Sequence, residues 1–128
     1  MSKIVCSNVY VSESSISDNM LGAFAKCDFK EGDLIERGLV KRLNESFDGM
    51  NNPYVFTWSD DVPNKTWAFA SGCATFYNTS KETNTIMIRH FDADKFEIYA
   101  LRNIEKDEEL THRYKSLCWR TCFSNLLV

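Results

Sequence analysis

Turn-forming residues interrupt this chain so often that no stretch sustains a helical period, and short β-branched and aromatic runs fill the gaps. Lys3 to Val11 reads as a strand, Ser12 to Asn19 as a polar loop, and Gly22 to Ala25 as a second short apolar strand. Phe29-Lys30-Glu31-Gly32-Asp33 is a turn, after which Leu34 to Lys41 alternates imperfectly between apolar and charged residues. Residues 43 to 53 are loop-like with room for one helical turn, and Tyr54 to Trp58 is an aromatic strand. Trp67 to Phe76 fits either a strand or one short helix. Thr85 to Arg89 and Phe96 to Leu101 predict a hairpin around Asp92-Ala93-Asp94-Lys95, followed by a charged turn from Ile104 to Glu109. Many short strands at close spacing predict a mainly β fold with little helix.

The length of 128 residues suits one domain with one core, and 44% hydrophobic with 13% aromatic residues describes a globular interior. No internal repeat, linker or low-complexity tract divides it, so residues 1–128 are expected to form a single domain. No apolar run approaches the ~20 residues that span a bilayer, and the N-terminus lacks the long apolar stretch of a signal peptide. An intracellular, soluble protein with no membrane partner is expected, without a choice between nucleus and cytoplasm. The net charge of −3 argues against direct nucleic-acid binding and is compatible with a basic peptide partner. Five scattered cysteines (Cys6, Cys27, Cys73, Cys118 and Cys122) do not form a disulfide framework. Cys118 and Cys122 lack a second ligand pair, so no metal is expected and the thiols read as free.

Two blocks carry chemistry: Asn78-Thr79-Ser80 and Glu109-Leu110-Thr111-His112-Arg113-Tyr114. An Asn amide can hold a polar cofactor, and a Tyr hydroxyl can orient a nucleophile. Taken alone, each has a plainer reading. Asn78 suits a turn that bonds its own backbone, and Tyr114 a strand aromatic with an outward hydroxyl. Tyr54, Phe56 and Trp58 alternate as core residues of a strand do. His112 suits a half-buried structural role, and the charges from Glu105 to Glu109 suit a solvated turn. No Gly-rich phosphate loop, paired-His metal motif or nucleophile elbow is present.

In order along the chain, these blocks resemble the SET domain, the protein lysine methyltransferase fold, and in particular its compact viral and bacterial type. Leu21-Gly22-Ala23-Phe24-Ala25 with Phe29 to Glu36 resembles the opening Gly-x-Gly block and its downstream turn. Asn52 to Trp58 resembles the aromatic strand that walls the lysine channel. Phe76-Tyr77-Asn78-Thr79-Ser80, with Asn84 four residues on, resembles the Asn-His-Ser…Pro-Asn block. Ala100 to Ile104 and Glu109 to Tyr114 resemble the last core strand and the catalytic tyrosine. Trp119, five positions beyond Tyr114, stands where compact members place an aromatic residue. The resemblance runs from about Val9 to Trp119, nearly the whole chain.

The resemblance implies short strands in small sheets with a threaded C-terminal segment. It implies methylation of a lysine side chain in a protein by S-adenosyl-L-methionine, on a basic substrate such as a histone tail. Tyr114 is implied as the catalytic residue, with Tyr54 and His112 at the lysine channel. Met20, Leu21, Gly22, Asn78, Thr79 and Trp119 are implied at the cofactor. Homodimers are an expectation of the same kind, since compact members pair to complete a substrate surface. The chain departs from the pattern at Met20 (usually Gly), Thr79 (usually His), Thr83 (usually Pro) and His112 (commonly Phe or Tyr). These departures motivate a second reading, a SET-like module that binds a peptide or partner without catalysis.

Overall fold

The computed structural model describes residues 2–44, 46–50, 52, 54–58 and 66–113. Eight strands account for its regular structure: β1 Val9–Glu13, β2 Leu21–Ala25, β3 Leu34–Arg42, β4 Phe56–Thr57, β5 Trp67–Ala70, β6 Thr85–His90, β7 Lys95–Ala100 and β8 Glu109–Leu110. Two single 3-10 turns, Ala74–Phe76 and Phe91–Ala93, are the helical segments among the described residues. The fold is mainly β, as the turn density requires. The strands form two antiparallel sheets, one ordered β1-β2-β8 and the other β4-β5-β3-β7-β6.

The β6–β7 hairpin follows directly from sequence. Lys95-Phe96-Glu97-Ile98-Tyr99-Ala100 alternates cleanly, and Phe96, Ile98 and Ala100 are buried while the residues between them are not. Asp94 closes the hairpin in the left-handed region at φ 51°, a conformation that Asp tolerates better than most residues. The imperfect alternation of β3 also has a structural cause. Leu34 pairs with Tyr99 and Glu36 with Ile98, so Ile35 is an extra residue on the β3 side. This bulge breaks the period of two and lets Ile35 and Glu36 both turn inward.

Three segments differ from expectation. The Lys3–Val11 run is split: Val5 makes an isolated pairing with Arg37, Ser7 and Asn8 turn, and β1 then continues to Glu13. Its far end is ordered because Ser12 and Glu13 pair with Gly22 and Leu21. The Tyr54–Trp58 strand shrinks to Phe56 and Thr57 at the edge of its sheet. There the Asn52 side chain captures the Tyr54 N–H at 2.9 Å before it can join the ladder. Trp67 to Phe76 holds both alternatives in succession, β5 and then a 3-10 turn. No described helix is long and apolar enough to cross a membrane.

Candidate functional site

Four separate segments meet at the start of β2. The amide nitrogen of Asn78 donates to the carbonyl oxygen of Leu21 at 3.0 Å, to Glu109 Oε2 at 3.1 Å and to Ser14 Oγ at 3.2 Å. Three oxygens around one nitrogen fix which way the amide points. Asn78 Oδ1 accepts no hydrogen bond from the described residues, which leaves it available as an acceptor. Gly22 lies beside this cluster: a Cβ there would stand 2.5 Å from Glu109 Oε2 and 3.3 Å from Asn78 Nδ2. Only a glycine lets β2 approach so closely.

Glu109 is the centre of the cluster, although the linear pattern assigned it to a solvated turn. Its side chain is 8% exposed and accepts from Ser15 N (2.7 Å), Ser15 Oγ (2.8 Å), Ser14 Oγ (2.8 Å) and Asn78 Nδ2. Burial alone would raise its pKa. The hydrogen bonds from Asn78, Ser15 and Ser14 outweigh burial and hold the carboxyl below its ordinary value. Nothing in the run Glu105 to Glu109 distinguishes this acid from its neighbours. Ser14 and Ser15 were equally hidden, because they lie 95 and 94 residues from Glu109 in sequence.

A second asparagine clamps the same strand from the other side. Asn84 Nδ2 donates to the Glu109 carbonyl at 2.8 Å, and Asn84 Oδ1 accepts from Thr111 N at 2.8 Å. The Thr111 carbonyl accepts from the Thr85 hydroxyl at 2.8 Å, and His112 N donates to the Asn78 carbonyl at 3.0 Å. Thr111 and Asn78 thereby pair in parallel. The segment carrying Glu109 to His112 is thus held between the two asparagines of the Asn78–Asn84 block.

Gly22, Leu21 and Asn78 are therefore brought together among the sequence-derived candidates. Met20 adjoins them, its carbonyl accepting from Ser14 N at 2.8 Å, and the Met20 and Leu21 side chains are 47% and 49% exposed. The left-handed residue of this turn is Asn19 at φ 60°, not Met20, so the missing glycine at position 20 causes no backbone strain. Thr79 follows Asn78 and is half-buried. His112 is buried, packing edge-on against Phe56 at 6.2 Å and tilted against Tyr77 at 5.8 Å. Burial, with the nearby Arg89 charge, lowers its pKa to about 4, so the imidazole is neutral at physiological pH. Tyr54 is 58% exposed and no described contact ties it to the Asn78 cluster. Tyr114 and Trp119, and with them the expected threaded C-terminal segment, lie outside the described residues.

The SET domain sequence profile matches residues 20–115. No curated protein sequence matches significantly. Among solved structures, a Plasmodium falciparum protein provisionally named a histone methyltransferase is similar at TM-score 0.62 and 23% identity, over 81% of this chain and 90% of that one. A humanized mutant of the Chaetomium thermophilum Polycomb Repressive Complex 2, bound to an inhibitor, is similar at TM-score 0.65 and 16% identity, over 84% of this chain and 15% of that one. The same complex in an autoinhibited conformation, bound to S-adenosylmethionine, is similar at TM-score 0.70 and 17% identity, over 95% and 17% respectively. With the profile covering most of the chain and the fold shared, the chain belongs to the SET-domain family.

Proposed function

We propose that this protein transfers a methyl group from S-adenosyl-L-methionine to a lysine side chain of a basic protein substrate such as a histone tail. The observation that carries the reading is the Gly22–Asn78–Glu109 cluster, set within a SET fold and a matching sequence profile. The residues fit the cofactor: Asn78 offers an ammonium group an amide oxygen that no described residue occupies, and Gly22 lets the Glu109 carboxylate close on the Asn78 amide beside it. Met20 and Leu21 supply exposed apolar surface at the same edge. Thr79 and Trp119 are further candidates for cofactor contact. The bound cofactor supplies an electrophilic methyl group on a sulfonium.

The chain's own residues then have three tasks. Glu109 and the two serines hold the Asn78 amide nitrogen at one orientation, which fixes the side of the amide that its oxygen occupies. An aromatic channel that includes Tyr54 desolvates the substrate lysine, whose ordinary pKa near ~10.4 must fall before the amine can attack. Tyr114 orients that amine through its hydroxyl. His112, neutral and buried, shapes the channel wall rather than taking the proton. The net charge of −3 favours approach by a basic substrate.

The test is transfer of labelled methyl to a panel of basic peptides and purified histones. Wild-type labelling of lysine, reduced at least about a hundredfold by Tyr114→Phe with cofactor binding retained, is the expected outcome. Cofactor binding without labelling of any lysine substrate would contradict the catalytic reading and leave a binding module.

A further inference from the structure

Glu36 is 0% exposed, yet no cationic side chain pairs with it among the described residues. Its donors among the described residues are neutral: the Tyr77 hydroxyl reaches Oε1 at 2.9 Å and the Cys73 N–H reaches Oε2 at 2.8 Å. An uncompensated buried carboxylate is costly. Two thiols stand beside it. Cys6 Sγ, Cys73 Sγ and a Glu36 carboxylate oxygen lie within 4.8 Å of one another.

The fold builds this cluster from three distant segments. Cys6 arrives on the N-terminal segment, which Val5 and Arg37 fasten to β3 by reciprocal backbone hydrogen bonds of 2.9 Å. The β3 bulge turns Glu36 inward. Cys73 follows Gly72, whose φ of 66° and close approach to the Glu36 carboxylate exclude a side chain.

From this geometry we infer that Cys6, Glu36 and Cys73 form a binding site for a thiophilic divalent cation, Zn²⁺ foremost. Two thiolates and one carboxylate, with a fourth position open to water, match the ligand types that Zn²⁺ accepts. Zinc–ligand lengths of about 2.0–2.3 Å require the three atoms to close by roughly 1 Å. Cys6 and Cys73 are both only half-buried and lie at turns, where such a shift is small. Carboxylate oxygens keep a second lone pair while accepting a hydrogen bond, so Tyr77 and the Cys73 N–H can orient Glu36 as a ligand. On binding, each thiol forms a sulfur–metal bond and releases its proton to solvent. Burial, and then the Glu36 charge, push the metal-free Cys73 thiol up to about 11, and a dication reverses that balance.

Titration of the reduced, metal-free protein with Co²⁺ reads the site directly. One equivalent is expected to give thiolate-to-cobalt charge transfer and the intense visible bands of tetrahedral cobalt, both abolished by one equivalent of Zn²⁺. Cys6→Ser and Cys73→Ser should each lose the signal while Cys27→Ser keeps it, with circular dichroism confirming that all three fold. Tyr77→Phe should weaken Zn²⁺ by about 10–100-fold through loss of the hydrogen bond to Glu36. No charge-transfer band in the wild type would overturn the inference. So would a band that survives Cys6→Ser and Cys73→Ser but disappears with Cys118→Ser or Cys122→Ser.

Discussion

Glu109 shows how much of this protein's design is decided by single side chains. Its carboxylate takes hydrogen bonds from three residues that sequence separation hides, and the Asn78 amide depends on it. Glu109→Gln puts an NH₂ group among donors, and should destabilise by about 1–3 kcal/mol in urea unfolding. His112 makes a second residue-scale prediction, in pH. Its folded pKa is depressed to about 4 from an ordinary 6.5, so its contribution to stability is whole above 6.5 and is lost as pH falls toward 4. The acid limb of stability between pH ~6.5 and ~4 should flatten in His112→Phe, as thermal midpoints across that range would show. Sequence related Asn78 to Gly22 only through a family resemblance that implies both at the cofactor, and the structure sets them side by side. It could not separate Glu109 from Glu108, because burial in this segment is set by distant serines rather than by local pattern.

At the scale of elements, local pattern succeeds where one face is buried and fails where a side chain intervenes. The β6–β7 hairpin was legible because Phe96, Ile98 and Ala100 repeat with period two. The same logic failed at Tyr54, where Asn52 diverts the backbone; at Ile35 a bulge only blurs the alternation of a strand that was still legible. Asp94 shows an element joined to its neighbours. Its Oδ1 accepts from the buried Trp58 indole at 3.0 Å and from Arg42 Nε at 2.8 Å, so one turn residue links β3, the β4 segment and the hairpin. Asp94→Ala leaves the Trp58 N–H without that acceptor and removes an Asp suited to φ 51°. A loss of about 1–3 kcal/mol is expected in denaturant unfolding, with the change read at Trp58 fluorescence. An unchanged midpoint would mean the indole finds another partner.

Taken whole, the molecule is a SET fold in which two small sheets bring three other segments to the start of β2. The order of its blocks was legible in sequence, and so was the mainly β class. Their contacts were not, since the parallel pairing of Asn78 with Thr111 joins segments that neither periodicity nor composition relates. The proposed ligand at the start of β2 is S-adenosyl-L-methionine. The decisive measurement is calorimetric titration of the purified chain with that cofactor, with Asn78→Ala run beside it and both shown folded by circular dichroism. Saturable one-site binding that weakens at least about tenfold in Asn78→Ala, through loss of one charge-assisted hydrogen bond, is the expected result. No heat from the folded wild-type chain, or equal affinity in the variant, would contradict it.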